Sequence, residues 1–216
     1  MQRRSLRRAQ QLGLGTTRAA RQLLAGRVEP RWIQAAGGSR FPGTLQWPVR
    51  HGWITRGFGS GEGGYHLAVD IMGTIGWNVR AAASGIVAYS GDGVRGFGNL
   101  VMLVHPGGWV TMYAHNSVNL VVAGETVARG RVLAEVGSTG ISRGPHVHFE
   151  FIYNRQNCDP AALFRPGVRR RNGGWAAVRK RRWTDPGRRP REVRCARRRR
   201  HPRSRYRQGA QRTPER

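Results

Sequence analysis

Acidic residues are scarce in this chain. Across 216 residues, 11 Asp and Glu stand against 38 Lys and Arg, a formal net charge of +27. Lysine is almost missing as well: Lys180 is the single example, so the positive charge is nearly all guanidinium. Cysteine is limited to Cys158 and Cys195, without C-x-x-C spacing. That excludes a disulfide-stapled miniprotein and a cysteine zinc ribbon. One cysteine lies mid-chain and the other among arginines near the end, so the two are not expected to pair. No apolar run approaches the roughly 20 residues that cross a bilayer as a helix. Nor does an apolar stretch of about 7–15 residues follow Met1-Gln2-Arg3-Arg4, so no export signal is legible.

The charge sits at the ends. Residues 1–40 hold nine arginines and one acid, and residues 165–216 hold 21 basic and three acidic residues. Between them, 41–164 carry eight arginines and seven acids. A uniformly basic nucleic-acid domain would not divide this way. The expectation is a near-neutral domain over 41–164, a basic N-terminal arm over 1–40 that is partly helical between Ser5 and Leu24, and a disordered arginine-rich tail over 165–216. The tail is rich in Arg, Gly, Pro and Trp, as GC-rich coding DNA is when read out of frame. Residues from about 166 onward therefore read as a frameshift product, and the missing export signal as the mark of a wrong start. So much arginine attracts phosphate at low salt. No nucleic-acid motif accompanies it, so no specific nucleic-acid partner is expected. Anionic lipid or wall polymers would serve a basic arm equally well.

The middle segment has the texture of an all-β domain. Short apolar runs at 85–89, 99–105, 109–115, 118–122, 126–128, 131–136 and 146–153 are split by glycines and turns such as Pro106-Gly107-Gly108. No long 3.6-residue period interrupts them, which predicts a mostly antiparallel sheet or sandwich.

The same segment holds the residues of chemical interest. Zinc peptidases need three protein ligands and an open fourth position, and imidazole and carboxylate suit the metal. His66-Leu67-Ala68-Val69-Asp70 and His146-Val147-His148 offer them. Residues i and i+2 of a strand share a face, so the two histidines of H-x-H point to one place. Tyr113-Ala114-His115 ends a predicted strand. Taken singly these are weak signals, since an H-x-H on a strand is more often structural than metal-binding.

In order, however, the segments resemble the catalytic domain of lysostaphin/LytM-type metalloendopeptidases. The matching pieces are His66 to Ile71, Val79 to Val87, Gly96-Phe97-Gly98-Asn99 running to His105, and Thr111 to His115. They continue with the V-x-x-G-x-x-V-x-x-G of Val121 to Gly130, Gly137 to Gly140, and Gly144 to Glu150. The resemblance covers roughly residues 47–164. It implies an all-β fold with a narrow groove, and zinc (Zn2+) held by His66, Asp70 and His148. It also implies catalytic roles for His115 and His146, one activating water and one stabilising the oxyanion, in an order the sequence leaves open. The implied activity is hydrolysis of peptide bonds in bacterial peptidoglycan, by a monomer acting outside the cytoplasm in periplasm or envelope. The alternative is a non-catalytic LytM-type activator of other cell-wall hydrolases. Such relatives usually lack ligands or the histidines, whereas all five positions are filled here.

Smaller expectations attach to neighbours. Glu150, two residues past His148, is placed to support a ligand or to be an ordinary strand residue. Asn99 is read as a turn residue rather than a cleft residue. His51 and His105 match no ligand position, and Trp47, Trp53, Trp77 and Trp109 are read as core or rim. Ala68 stands where many relatives carry Gly, and Asn116 where Leu is common; neither is expected to disturb the site.

Overall fold

The computed structural model describes residues 2–37, 43–59, 64–165, 168–169, 171–172, 175–176 and 193–196. The arginine-rich runs at 179–182 and 197–200 lie outside the described residues.

A nine-stranded antiparallel sheet organises the domain. Its strands are β1 (Trp53–Arg56), β2 (Val69–Met72), β3 (Gly85–Gly91), β4 (Asn99–Val104), β5 (Val110–Asn116), β6 (Thr126–Val127), β7 (His146–Tyr153), β8 (Gln156–Cys158) and β9 (Cys195–Ala196). They run in the order β9-β8-β7-β5-β4-β3-β6, with β2 on β7 and β1 on β2. The apolar runs on either side of the Pro106-Gly107-Gly108 turn form the hairpin β4–β5, paired from Asn99↔Asn116 to Val104↔Val110. Strand β7 is the axis. One edge pairs with β5; the other takes β2 over His146–Phe149 and β8 over Phe151–Tyr153.

Period-two alternation gives the sheet two buried faces. Val147, Phe149 and Phe151 of β7 join Val69, Ile71, Val101, Leu103 and Tyr113 in one cluster. That cluster is closed by Val79, Leu133 and Ala134 from a small three-stranded sheet, Asn78–Arg80, Val132–Glu135 and Val118–Asn119. On the opposite face Ile152 joins Ile86, Ala88, Leu100, Met102, Val104, Val110, Met112 and Ala114.

This second face is covered by the N-terminal segment, which corrects the expectation of a separate basic arm. Three helices, α1 (Gln2–Leu12), α2 (Thr17–Leu24) and α3 (Pro30–Ala36), lie on it. With Leu14 of the turn between α1 and α2, they bury Ala9, Ala19, Ala20, Leu23, Trp32 and Ala36 in the same cluster. One helix from Ser5 to Leu24 does not form because Gly13 and Gly15 take positive φ, +67° and +78°, where a helix cannot continue. Thr16 then caps α2, accepting from the Ala19 N–H at 3.0 Å. Trp32 Nε1 donates to the Leu12 carbonyl at 2.8 Å, tying α3 to the end of α1. Most buried groups here are alanines, which read in sequence as helix formers rather than as core.

The tail also departs from expectation where it is described. Val168–Arg169 pairs with Trp175–Ala176, and β9 extends the main sheet beside β8. Cys158 and Cys195, not expected to pair, face each other across β8–β9 and form a disulfide. Two strands placed in register by the sheet bring the sulfurs together across 37 residues of sequence, a proximity no spacing rule reveals.

Candidate metal centre

The pairing of β7 assembles the site. His148 lies opposite Asp70 of β2 on one side and Ala114 of β5 on the other, with His146 one step along. The even-numbered residues of β7 share one face, so His146, His148 and Glu150 lie on the helix-covered side of the sheet, beyond the part that the helices cap. His66 enters from the loop before β2, where Gly59 and His66 bond each other in both directions at 2.8 Å.

Three donors converge. Asp70 Oδ1 lies 3.2 Å from His66 Nε2 and 3.0 Å from His148 Nδ1, and the two ring nitrogens are 3.3 Å apart. All three ligand atoms fall within 4.8 Å of one another. Two imidazoles and one carboxylate form a donor set suited to zinc. The two remaining histidines stand beside it. His146 Nε2 is 3.7 Å from Asp70 Oδ1, and the His115 ring centroid is 4.9 Å from that of His146 and 5.7 Å from that of His148.

Each ring is oriented by an acceptor on its far nitrogen. His66 Nδ1 donates to the Gly57 carbonyl at 3.0 Å, His115 Nδ1 to Thr139 O at 2.7 Å, and His146 Nδ1 to Gly144 O at 2.8 Å. A carbonyl can only accept, so these contacts fix the proton on Nδ1 and turn Nε2 toward the centre. His148 is reversed. Its Nε2 donates to Glu150 Oε1 at 3.0 Å, which frees Nδ1 to face Asp70 and His66. Glu150 therefore orients the His148 ring, and it is almost fully buried. Asn157 of β8, which sequence reading passed over, donates to Glu150 Oε2 at 2.6 Å.

The backbone around His115 is unusual. His115 is one of three described non-glycine residues with positive φ, +65°. A left-handed residue costs about 1–2 kcal/mol and persists where its surroundings hold it. Its N–H donates to Phe97 O at 2.9 Å. The glycine signal of the sequence explains the neighbouring loop. Gly98 (φ +58°) and Gly140 (φ +72°) pass so closely that a Cβ on either would meet the other strand's backbone, and this crossing sets Thr139 O under His115.

Electrostatics divide the site. Burial opposes ionisation of Asp70, yet hydrogen bonds from His148 and His66 outweigh it and hold the carboxyl well below the usual range. Burial alone would lower His148; its bonds to Asp70 and Glu150 overcome that and raise it to about 9. His115 has no such partner, and burial lowers it to about 4. At neutral pH it is an uncharged base.

The remaining expectations resolve simply. Asn99 Nδ2 donates to the carbonyls of Asn116 and Ser117 at 3.2 and 2.8 Å, a turn role. Asn116 is fully buried and bonds Tyr113 O and Asn119 Oδ1, both at 2.9 Å. Ala68 is fully buried without positive φ. His51 stacks edge-on against Trp77 away from the site, Trp47 and Trp109 are core, and Trp53 and Trp77 are half-buried rim.

The chain is similar to known proteins along this domain. Residues 64–160 match the family described as Peptidase family M23. The murein hydrolase activator NlpD of Escherichia coli (strain K12) is 38% identical over 117 residues, 54% of this chain and 30% of that protein. A Pseudomonas aeruginosa crystal structure described as a peptidase M23 matches with a TM-score of 0.55 at 32% identity, covering 66% of this chain and 56% of that one. A zinc containing peptidase from Vibrio cholerae matches with a TM-score of 0.50 at 29% identity, over 56% of this chain and 39% of that one. The chain spans under a third of the length of the first curated relatives it matches.

Proposed function

Residues 64–160 form a LytM-type domain of Peptidase family M23, and from that premise we propose that the chain is a zinc metalloendopeptidase hydrolysing peptide bonds of bacterial peptidoglycan, in a stem peptide or a cross-bridge. The observation that carries this reading is the convergence of five side chains, three of them ligands and two of them histidines with their ring protons anchored elsewhere.

His66, Asp70 and His148 would hold the metal. Zinc there supplies Lewis acidity, which lowers the pKa of a water to about 7 and polarises the scissile carbonyl. His115 is the general base. Its proton is committed to Thr139 O, its Nε2 is free, and burial keeps it uncharged, so it can accept a proton from the attacking water. His146, with Nε2 near Asp70, in its protonated form donates to the oxygen that gains charge as the carbonyl is attacked. Glu150 and Asn157 keep His148 presenting Nδ1. The substrate lies outside the cytoplasm, so the protein acts in the periplasm or cell envelope.

The similarity to NlpD supports a second reading, in which the domain activates other murein hydrolases without cleaving bonds itself. A zinc titration run beside digestion of purified cell walls separates the two. Stoichiometric zinc with chelator-sensitive hydrolysis is expected. Stoichiometric zinc without hydrolysis, across several wall types, would replace the enzyme by the activator.

A further inference from the structure

Two ligands of the centre are supported from outside the 64–160 segment. His66 depends on three consecutive residues: Gly57 accepts from its ring, Phe58 is buried in the core, and Gly59 pairs with its backbone. The Phe58 carbonyl in turn accepts from Arg194 Nη2 at 3.1 Å, and the same guanidinium reaches Asp159 Oδ2 at 3.2 Å. His148 depends on Glu150, and Glu150 on Asn157, whose place in β8 is fixed by pairing with Ala196 of β9.

Both lines of support end in the four residues Val193–Ala196. Val193 is fully buried in the core that also holds Phe58, Val69 and Ile71. The Arg194 carbonyl accepts from the Asp159 N–H at 2.8 Å. Cys195 is bonded to Cys158, next to Asn157. A buried anchor, a backbone pairing, an ion pair and a covalent link thus fasten one short strand against the two elements that aim His66 and His148.

We propose that Val193–Ala196 is a strap, locked by the Cys158–Cys195 disulfide, that positions the metal ligands, with Arg194 acting through Phe58 on His66 and Asn157 acting through Glu150 on His148. The proposal rests on the reading of His66, Asp70 and His148 as zinc ligands. It makes the segment beyond the domain signature part of the working protein rather than an out-of-frame addition. Arg194 and Asn157 are positioning residues: neither touches the centre.

The test is zinc affinity of the full chain, measured by competition with a chromophoric chelator, beside the melting temperature of the metal-free protein. Arg194→Ala keeps the disulfide and should bind zinc roughly tenfold more weakly while melting, metal-free, with the parent. Asn157→Ala should lose about 10–100-fold, as removal of ligand supports does. The Cys158→Ser, Cys195→Ser double variant should fall with Arg194→Ala. Zinc affinity in Arg194→Ala within twofold of the parent would overturn the strap. So would a non-reducing digest lacking the Cys158–Cys195 peptide. Zinc binding by the parent, and its loss in His148→Ala, tests the ligand reading separately: if the parent binds no zinc, it is that reading which fails.

Discussion

The two faces of the main sheet each bury histidine, and they use it in opposite ways. On the face shared with the helices, His66, His115, His146 and His148 gather around Asp70, with nitrogens turned toward a common point. On the other face His105 is fully buried, with Nδ1 donating to Ser84 O at 2.8 Å and Nε2 2.8 Å from Thr111 Oγ1. Thr111 continues to the Tyr113 hydroxyl, which accepts from the Ala82 N–H. Both nitrogens of the His105 ring are thus within hydrogen-bond distance of neutral groups. The first cluster bonds its rings to carboxylates; the second bonds both ring nitrogens to neutral groups. Burial alone therefore says little about a histidine. What distinguishes a site is where the second ring nitrogen goes and whether a carboxylate shares the space.

The contrast can be broken most forcefully at His148. His148→Ala should abolish stoichiometric zinc binding and all turnover, read by metal analysis of the purified protein. A smaller loss would mean that His66 and Asp70 suffice. In the metal-free protein His148 is raised to about 9, so zinc must displace its proton. Zinc affinity should climb with pH up to about 9 and then level off, with proton release visible by calorimetry in two buffers. An affinity independent of pH would contradict the charged character assigned to this face.

Next in size is His115→Ala, which should keep zinc and lose about 10²–10⁴-fold in turnover, the range of a general base. Retained turnover would remove His115 from the mechanism. On the opposite face His105→Gln should leave zinc affinity and turnover within twofold and act on stability alone. Burial lowers His105 from 6.5 to about 4. The unfolded chain therefore binds the proton first: stability is full above about pH 6.5 and is lost as the pH falls toward 4, by up to about 3 kcal/mol. Denaturant titrations across that window should show the loss in the parent and a flatter profile in the variant.

The clustering of the histidines was legible because strand periodicity is local. H-x-H puts His146 and His148 on one side of β7 without knowledge of the fold, and the ordered glycines mark loops such as Gly98 and Gly140 that must pass closely. The strands of the β4–β5 hairpin announced themselves through an apolar run, a Pro-Gly-Gly turn and a second run. What stayed hidden depends on distant contacts. The helical cover buries alanines, whose small apolar area leaves a weak periodic signal, so its arginines dominated the reading. Leu23 and Trp32 are its larger anchors; Leu23→Ala should destabilise the fold by about 2–5 kcal/mol without altering zinc binding. Asn157 and Cys195 carry no motif. Their meaning arises only when β8 and β9 lie side by side.

On the proposed function, the charged face cuts peptide bonds in peptidoglycan. The direct measurement is mass spectrometry of fragments released from purified cell walls by the zinc-loaded protein, with His115→Ala as control. The parent should release new peptide termini, none after chelation, and His115→Ala few or none with its zinc in place. Intact walls after incubation with fully zinc-loaded parent protein would contradict it.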